Sequence, residues 1–462
     1  MQNKKAYIWG ILSKILPAAI QLGTNMLLAR FLTPDDFGTI GILAIIFMVA
    51  NVLVDSGLGG SLVKENTITK DDCSTIGCFN LVVSSILYVC LYIGAPYIEN
   101  YFRIEDLTII IRLLTITFII GAFGLVSKSI LIRELRFGEL CTISIISISI
   151  ASITAIVMAI YGYGIYSLVA LNLVNSLVST ILTIYLSKYS LSYRFNPESF
   201  KKLFSFGVFT TISSVIDTIY ENLITTLTGK FLNISQAGYL SQAKKLEEGM
   251  SSSIVLTIAN VTFPIMTKLK DDKIKFKNEA YTLMRVIVYF LFPVLLISTI
   301  FSEYIITFLF GKQWLPASYY FSLLIFAGLL LILETLLRTF IKSLCAVKEL
   351  MYVTLVKRVL GIVIIIICSI IDSSWIIYGY IISCFIGVIM NVYLYSTKIN
   401  CRTIDTFFSI VKLTIPSLLL FIVLIMLYLS INNVGLLSIL FILLIVSYYF
   451  LMYSQVRKVK IS

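Results

Sequence analysis

A chain of 462 residues that is 59% hydrophobic and only 13% charged has too few ionisable side chains to cover its own surface in water. Its net charge of +12 would suit a nucleic-acid binder, but the basic residues gather in one set of short loops. That pattern marks membrane topology and contact with lipid headgroups, with no nucleic-acid partner.

A spanning helix needs roughly 20 largely apolar residues. Fourteen such runs fall near 8–29, 37–58, 76–97, 107–127, 140–160, 164–186, 203–229, 237–266, 282–302, 318–338, 351–371, 374–396, 409–430 and 434–453. The predicted fold is therefore all-α, a polytopic membrane protein of about 14 transmembrane helices. Polar interruptions make the second, seventh and eighth runs the weakest.

In chain order, Lys4 and Lys5 precede an apolar run that continues to Ala29 without a small-residue cleavage site, so it reads as the first span rather than a signal peptide. Lys14 within it, like Lys412 in the thirteenth span, sits close enough to one end to snorkel. The second span closes on Asp55, followed by Ser56, Gly57, Leu58, Gly59 and Gly60. Gly57, Gly59 and Gly60 suggest a tight turn, close helix packing or a hinge.

Charge inside a bilayer is costly, about 2.5–3.5 kcal/mol per group on insertion scales, and such residues face a cavity or a partner. The seventh span carries Asp217 and Glu221, four apart on one helix face. They either line a water-filled cavity or form a structural pair. The eighth carries Lys244, Lys245, Glu247 and Glu248. Its lysines either line a cavity, snorkel outward, or belong to an interfacial helix over 236–248. The tenth carries Glu334 and Arg338, read as an intrahelical ion pair, and the eleventh carries Lys357 and Arg358.

Catalytic signatures are missing: there is no GxxxxGK[ST], no GxSxG, and with no histidine no HExxH. Eight cysteines without a CxxC pair read as reduced core residues, and no metal or cofactor is expected. Placing the N-terminus in the cytoplasm puts 24 Lys and Arg in the inner segments and only four, Arg30, Arg103, Lys230 and Lys312, outside. One consistent threading with both termini inside accounts for that asymmetry.

The chain also echoes itself. RFLTPDDFGTI at 30–40 aligns with KFLNISQAGYL at 230–240, and RFGEL at 136–140 with AVKEL at 346–350. The reading is two six-helix lobes in parallel repeat, 1–200 and 201–398, plus two further helices in 399–462.

The block LLARFLTPDDFGTIGILAIIFMVANVLVDSGLGGSLVKE, residues 27–65, resembles the start of Wzx-type polysaccharide flippases and of the teichuronic and colanic acid exporters. AGYLSQAKKLEEGMSSSIVLTIANVTFPIMTKLKDD, residues 237–272, is similar to the second-lobe counterpart in that family, and APYIENYF at 95–102 fits its outer edge. The resemblance implies membership of the multidrug/oligosaccharidyl-lipid/polysaccharide exporter superfamily. It implies a polyprenyl-diphosphate-linked oligosaccharide as substrate, membrane lipids as surroundings, and a polymerase and chain-length machinery as downstream partners, all at the bacterial cytoplasmic membrane. Two lobes would form a V around a cationic cavity walled by spans one, two, seven and eight, where Asp217, Glu221, Lys244 and Lys245 fall; Glu247 and Glu248 share that last span. The competing reading is a multidrug exporter of the same fold coupled to a Na+ or H+ gradient, with Asp217 and Glu221 as coupling carboxylates.

Overall fold

The structure is a computed structural model that describes residues 2–55, 62, 68–189, 194–430 and 434–461. The candidate hinge at Gly57, Gly59 and Gly60 lies outside the described residues. No strand occurs among them, and fourteen long helices do. They are α1 (Gln2–Phe31), α2 (Pro34–Asp55), α3 (Lys70–Phe102), α4 (Leu107–Arg133), α5 (Phe137–Ile160), α6 (Tyr166–Ser187) and α7 (Pro197–Phe231). The remainder are α8 (Ile234–Lys268), α9 (Lys273–Ile300), α10 (Ala317–Ser343), α11 (Val347–Ile371), α12 (Ile376–Ile399), α13 (Thr403–Ser430) and α14 (Val434–Ile461), with a nine-residue helix, Ser302–Phe310, after α9.

Each expected span falls on one long helix. Among the described residues ten helices are long and apolar enough to cross a membrane, and α14 holds a shorter apolar stretch, Leu440–Tyr453. The second span, expected among the weakest, is one of the ten. Its acidic residues Asp35 and Asp36 lie in the first turn of α2, where they suit the positive end of the helix dipole and leave the apolar run intact.

Local chemistry sets the helix ends. Thr69 and Asp72 form a reciprocal capping box that opens α3. Asn196 caps α7 through the Glu198 amide with Pro197 in its first turn, and Asp272 caps α9 through the Lys275 amide at 3.1 Å. The Asp272 carboxyl is held below its ordinary value first by that backbone hydrogen bond.

The chain divides into two compact units, Met1–Ser241 and Gln242–Ser462. In the first, α3 packs on α4, α5 on α6, α1 on α5, α4 on α6 and α2 on α7. Its core includes Ile42 and Leu43 of α2 and Leu107, Ile110, Ile111 and Leu114 of α4. In the second, α11 packs on α12, α10 on α12 and α9 on α13.

Within the first unit the start of α8 meets the start of α2 reciprocally. A β-carbon on Gly38 would overlap the Ile234 carbonyl oxygen, and one on Gly238 would overlap the Pro34 carbonyl oxygen. The Ser235 hydroxyl donates to the Asp35 carboxylate. Each of these pairings links a position to the neighbourhood of its own counterpart 200 residues on, the signature of an isologous two-fold contact. Only glycine permits the backbones to come this close.

Candidate functional site

Three helices of the first unit, α2, α4 and α6, line a half-open cavity of about 510 Å³. They run in the same direction, because one antiparallel helix separates each from the next. From α2 come Ala44, Phe47, Met48, Asn51 and Asp55; from α4 come Thr117, Phe118, Gly121, Gly124 and Lys128. From α6 come Asn172, Asn175, Ser176, Ser179, Thr180 and Thr183, recurring at the three- and four-residue steps that place side chains on one helix face. Nothing about helix stability asks for six amides and hydroxyls in a row inside an apolar run.

The walls are held by a few contacts. Phe47 and Phe118 approach with ring centroids 5.5 Å apart. The Ser176 hydroxyl points to the Thr117 carbonyl at 3.5 Å, and Gly124 leaves room for Thr180, which a β-carbon there would touch at 3.3 Å. Asn172 donates to the Leu168 carbonyl at 2.9 Å. Asp55 and Lys128 interact electrostatically at the end where the three helices finish. The sequence reading took Asp55 only as the close of a span and passed over the α6 face, whose signal was the spacing of Asn172, Asn175, Ser176, Ser179 and Thr183.

Asp217 and Glu221 lie on α7, the first half-buried and the second exposed, and neither belongs to the lining of this cavity. On α8, Lys244 and Lys245 are half-buried, Glu247 is buried and Glu248 is exposed. Lys244 Nζ stands 3.7 Å from Glu248 Oε1, one helical turn on. Glu247 turns away from that pair: its Oε1 accepts from the Ser251 hydroxyl at 2.5 Å and occupies the notch left by Gly328 of α10. Three of the four charges of the eighth span are therefore split between an ion pair and a buried carboxyl.

A second buried charge cluster joins α10, α11 and α12. Arg338 Nη1 lies 3.7 Å from Glu334 Oε1, the intrahelical pair expected from sequence. Lys357 of α11 also donates to Glu334 Oε1, with both side chains no more than 5% exposed. Gly387 of α12 makes the space, since a β-carbon there would sit 2.9 Å from Glu334 Oε2 and 3.1 Å from Lys357 Cδ. Asn391, one turn on, donates to the Gly387 carbonyl at 2.9 Å, while its own side-chain oxygen is buried without a partner among the described residues.

Residues 27–319 match the family described as polysaccharide biosynthesis protein. The chain is 24% identical over 327 residues to the teichuronic acid biosynthesis protein TuaB of Bacillus subtilis, covering 70% of this chain and 68% of the relative. It is 23% identical over 308 residues to the succinoglycan biosynthesis transport protein ExoT of Rhizobium meliloti, covering 66% of this chain and 62% of that relative. In fold it matches the lipid II flippase MurJ in its inward closed conformation, with a TM-score of 0.77 at 17% identity over 98% of this chain and 100% of that one. The family match covers well over half of the sequence, and the protein belongs to the polysaccharide biosynthesis protein family.

Proposed function

We propose that this protein moves a lipid-diphosphate-linked oligosaccharide repeat unit across the bacterial cytoplasmic membrane for assembly of a surface polysaccharide. The observation that carries the reading is the family match over residues 27–319 on a chain built of membrane-length helices. Polysaccharide precursors are made on one side of a membrane and polymerised on the other, so a helical bundle with polar surfaces inside it suits the crossing step. The role is transport rather than catalysis, in keeping with a relative named as a transport protein and a fold shared with a flippase.

The proposed mechanism is alternating access of two lobes, 1–200 and 201–398, with both termini in the cytoplasm. Lys244 and Lys245 are the candidates for contact with the diphosphate, since an ammonium is a compact partner for diffuse negative charge. Asp217 and Glu221 are the candidates for coupling to a Na+ or H+ gradient, and Glu247 and Glu248 are further candidates for the substrate-binding cavity. A polymerase and chain-length machinery would take the product on the far side.

Deleting the gene and analysing lipid-linked glycans tests the proposal. Complete repeat units should accumulate on their lipid carrier while surface polysaccharide falls, and complementation should reverse both. Normal surface polysaccharide with altered drug susceptibility would replace this reading with the multidrug exporter.

A further inference from the structure

We propose that the cavity lined by α2, α4 and α6 is a binding site for the neutral sugar portion of the cargo, separate from any diphosphate contact. The inference rests on the proposed function for the identity of the cargo, and on the cavity itself for the chemistry.

The first argument is hydrogen-bonding capacity. Among the described residues, the side chains of Asn51, Asn175, Ser179, Thr180 and Thr183 line the cavity without a hydrogen-bond partner in the protein. Thr183 is only 4% exposed, Asn175, Ser179 and Thr180 are half-buried, and Asn51 is exposed at the cavity wall. Polar groups in such a setting cost free energy unless water or a ligand satisfies them. An acyl chain would leave every one of them unmade, which argues against a lipid tail as occupant.

The second argument is charge. Among the described residues the wall carries one cation, Lys128, and it interacts with one carboxylate, Asp55. A diphosphate asks for several donors bearing positive charge, and a hydrophobic cation asks for an unbalanced carboxylate. The cavity offers neither. Amides and hydroxyls, each able to donate and accept, match the hydroxyls of a sugar, which do the same.

The third argument is shape. A volume of about 510 Å³ falls within the roughly 300–1,000 Å³ typical of small-ligand sites. Phe47 and Phe118 supply an aromatic surface at the cavity wall, suited to the C–H face of a sugar ring. A site that reads hydroxyl geometry would let the protein select among repeat units that share the same lipid diphosphate.

The test uses the full-length protein in lipid nanodiscs and three probes: the neutral oligosaccharide released by mild acid from the cell's own surface polysaccharide, inorganic diphosphate, and tetraphenylphosphonium. Saturation-transfer NMR and calorimetric titration read binding. The wild-type protein should bind the oligosaccharide, and the double variant Asn175→Ala/Ser179→Ala should weaken it about tenfold, as expected for two lost hydrogen bonds. Diphosphate binding should be unchanged in that variant. Asn175→Gln/Ser179→Thr keeps the polar groups and should recover part of the affinity, which separates lost contacts from lost folding.

Oligosaccharide binding that is indifferent to both double variants would overturn the proposal. So would saturable diphosphate or tetraphenylphosphonium binding that the alanine variant weakens. If no oligosaccharide binds while the deletion strain still accumulates lipid-linked repeat units, the cavity is an aqueous vestibule only, and the transport reading stands without this inference.

Discussion

Lys357 and Glu334 occupy the most enclosed ionic contact among the described residues, with side chains 3% and 5% exposed. Removing Lys357 leaves the buried Glu334 with only Arg338, 3.7 Å away, to compensate it, so the cost should approach that of a broken buried pair, about 3–5 kcal/mol, whereas replacing both partners can be close to neutral. Lys357→Met should therefore lower the unfolding temperature of the purified protein sharply. Lys357→Met with Glu334→Gln should restore most of the loss, because no carboxylate is then left buried and Arg338, whose side chain is 30% exposed, can be hydrated. Equal destabilisation by the single and double variants would show that packing against Gly387, not charge, holds the three helices together. Sequence periodicity revealed Glu334 and Arg338 because helix geometry fixes neighbours four apart. It marked Lys357 as a charge within a span but not as the partner of Glu334, since pairing between α10 and α11 depends on how the two helices rotate against each other.

The reciprocal contact of α2 and α8 shows how a helix pairing can be encoded by absence of a side chain. Gly238→Ala would force a β-carbon onto the Pro34 carbonyl, which belongs to backbone and has no rotamer by which to retreat. Overpacking of this kind costs typically 1–3 kcal/mol. Gly94 of α3 has nothing within 4 Å of the same position, so Gly94→Ala should be neutral or stabilising by up to roughly 1 kcal/mol from helix propensity. Thermal unfolding of the two variants side by side checks the contrast, and similar shifts in both would mean that α2 and α8 adjust freely. The glycines of this close approach were legible because Gly38 and Gly238 align at an offset of 200 in the sequence. The polar face of α6 was overlooked for the opposite reason. Asn, Ser and Thr carry no charge, so a reading that searches for ions inside the bilayer passes over them, although their spacing was plain.

How the chain threads the membrane follows from contacts that tie distant loops to common faces. Gly38 against Ile234 and Gly238 against Pro34 place the starts of α2 and α8 together, and Lys230 donates to the Tyr101 carbonyl with its ammonium 3.6 Å from the Tyr101 ring centre. Residues near 34, 101, 230 and 234 therefore share one face. At the other end, Ser74 donates to the Arg194 carbonyl at 2.8 Å and the Asn196 amide donates to the Thr75 hydroxyl at 3.0 Å, so residues near 74 and 194 share the opposite face. The first grouping requires an even number of crossings between the starts of α2 and α8, which the six helices α2 to α7 supply, and the second an even number between 74 and 194, which the four helices α3 to α6 supply. Contacts fix which loops lie together but not which side is cytoplasmic; the excess of Lys and Arg predicts that side for the loops near 70 and 195. Reporter fusions after residues 70, 195, 275 and 400 should accordingly read as cytoplasmic, and fusions after 102, 234 and 312 as external. Opposite results for 102 and 234 would contradict the loop contacts themselves. A uniform inversion of all seven would leave those contacts intact and overturn only the charge-based choice of side. An inversion confined to 275, 312 and 400 would overturn the proposed parallel repeat, in which two lobes of six helices enter the membrane from the same face.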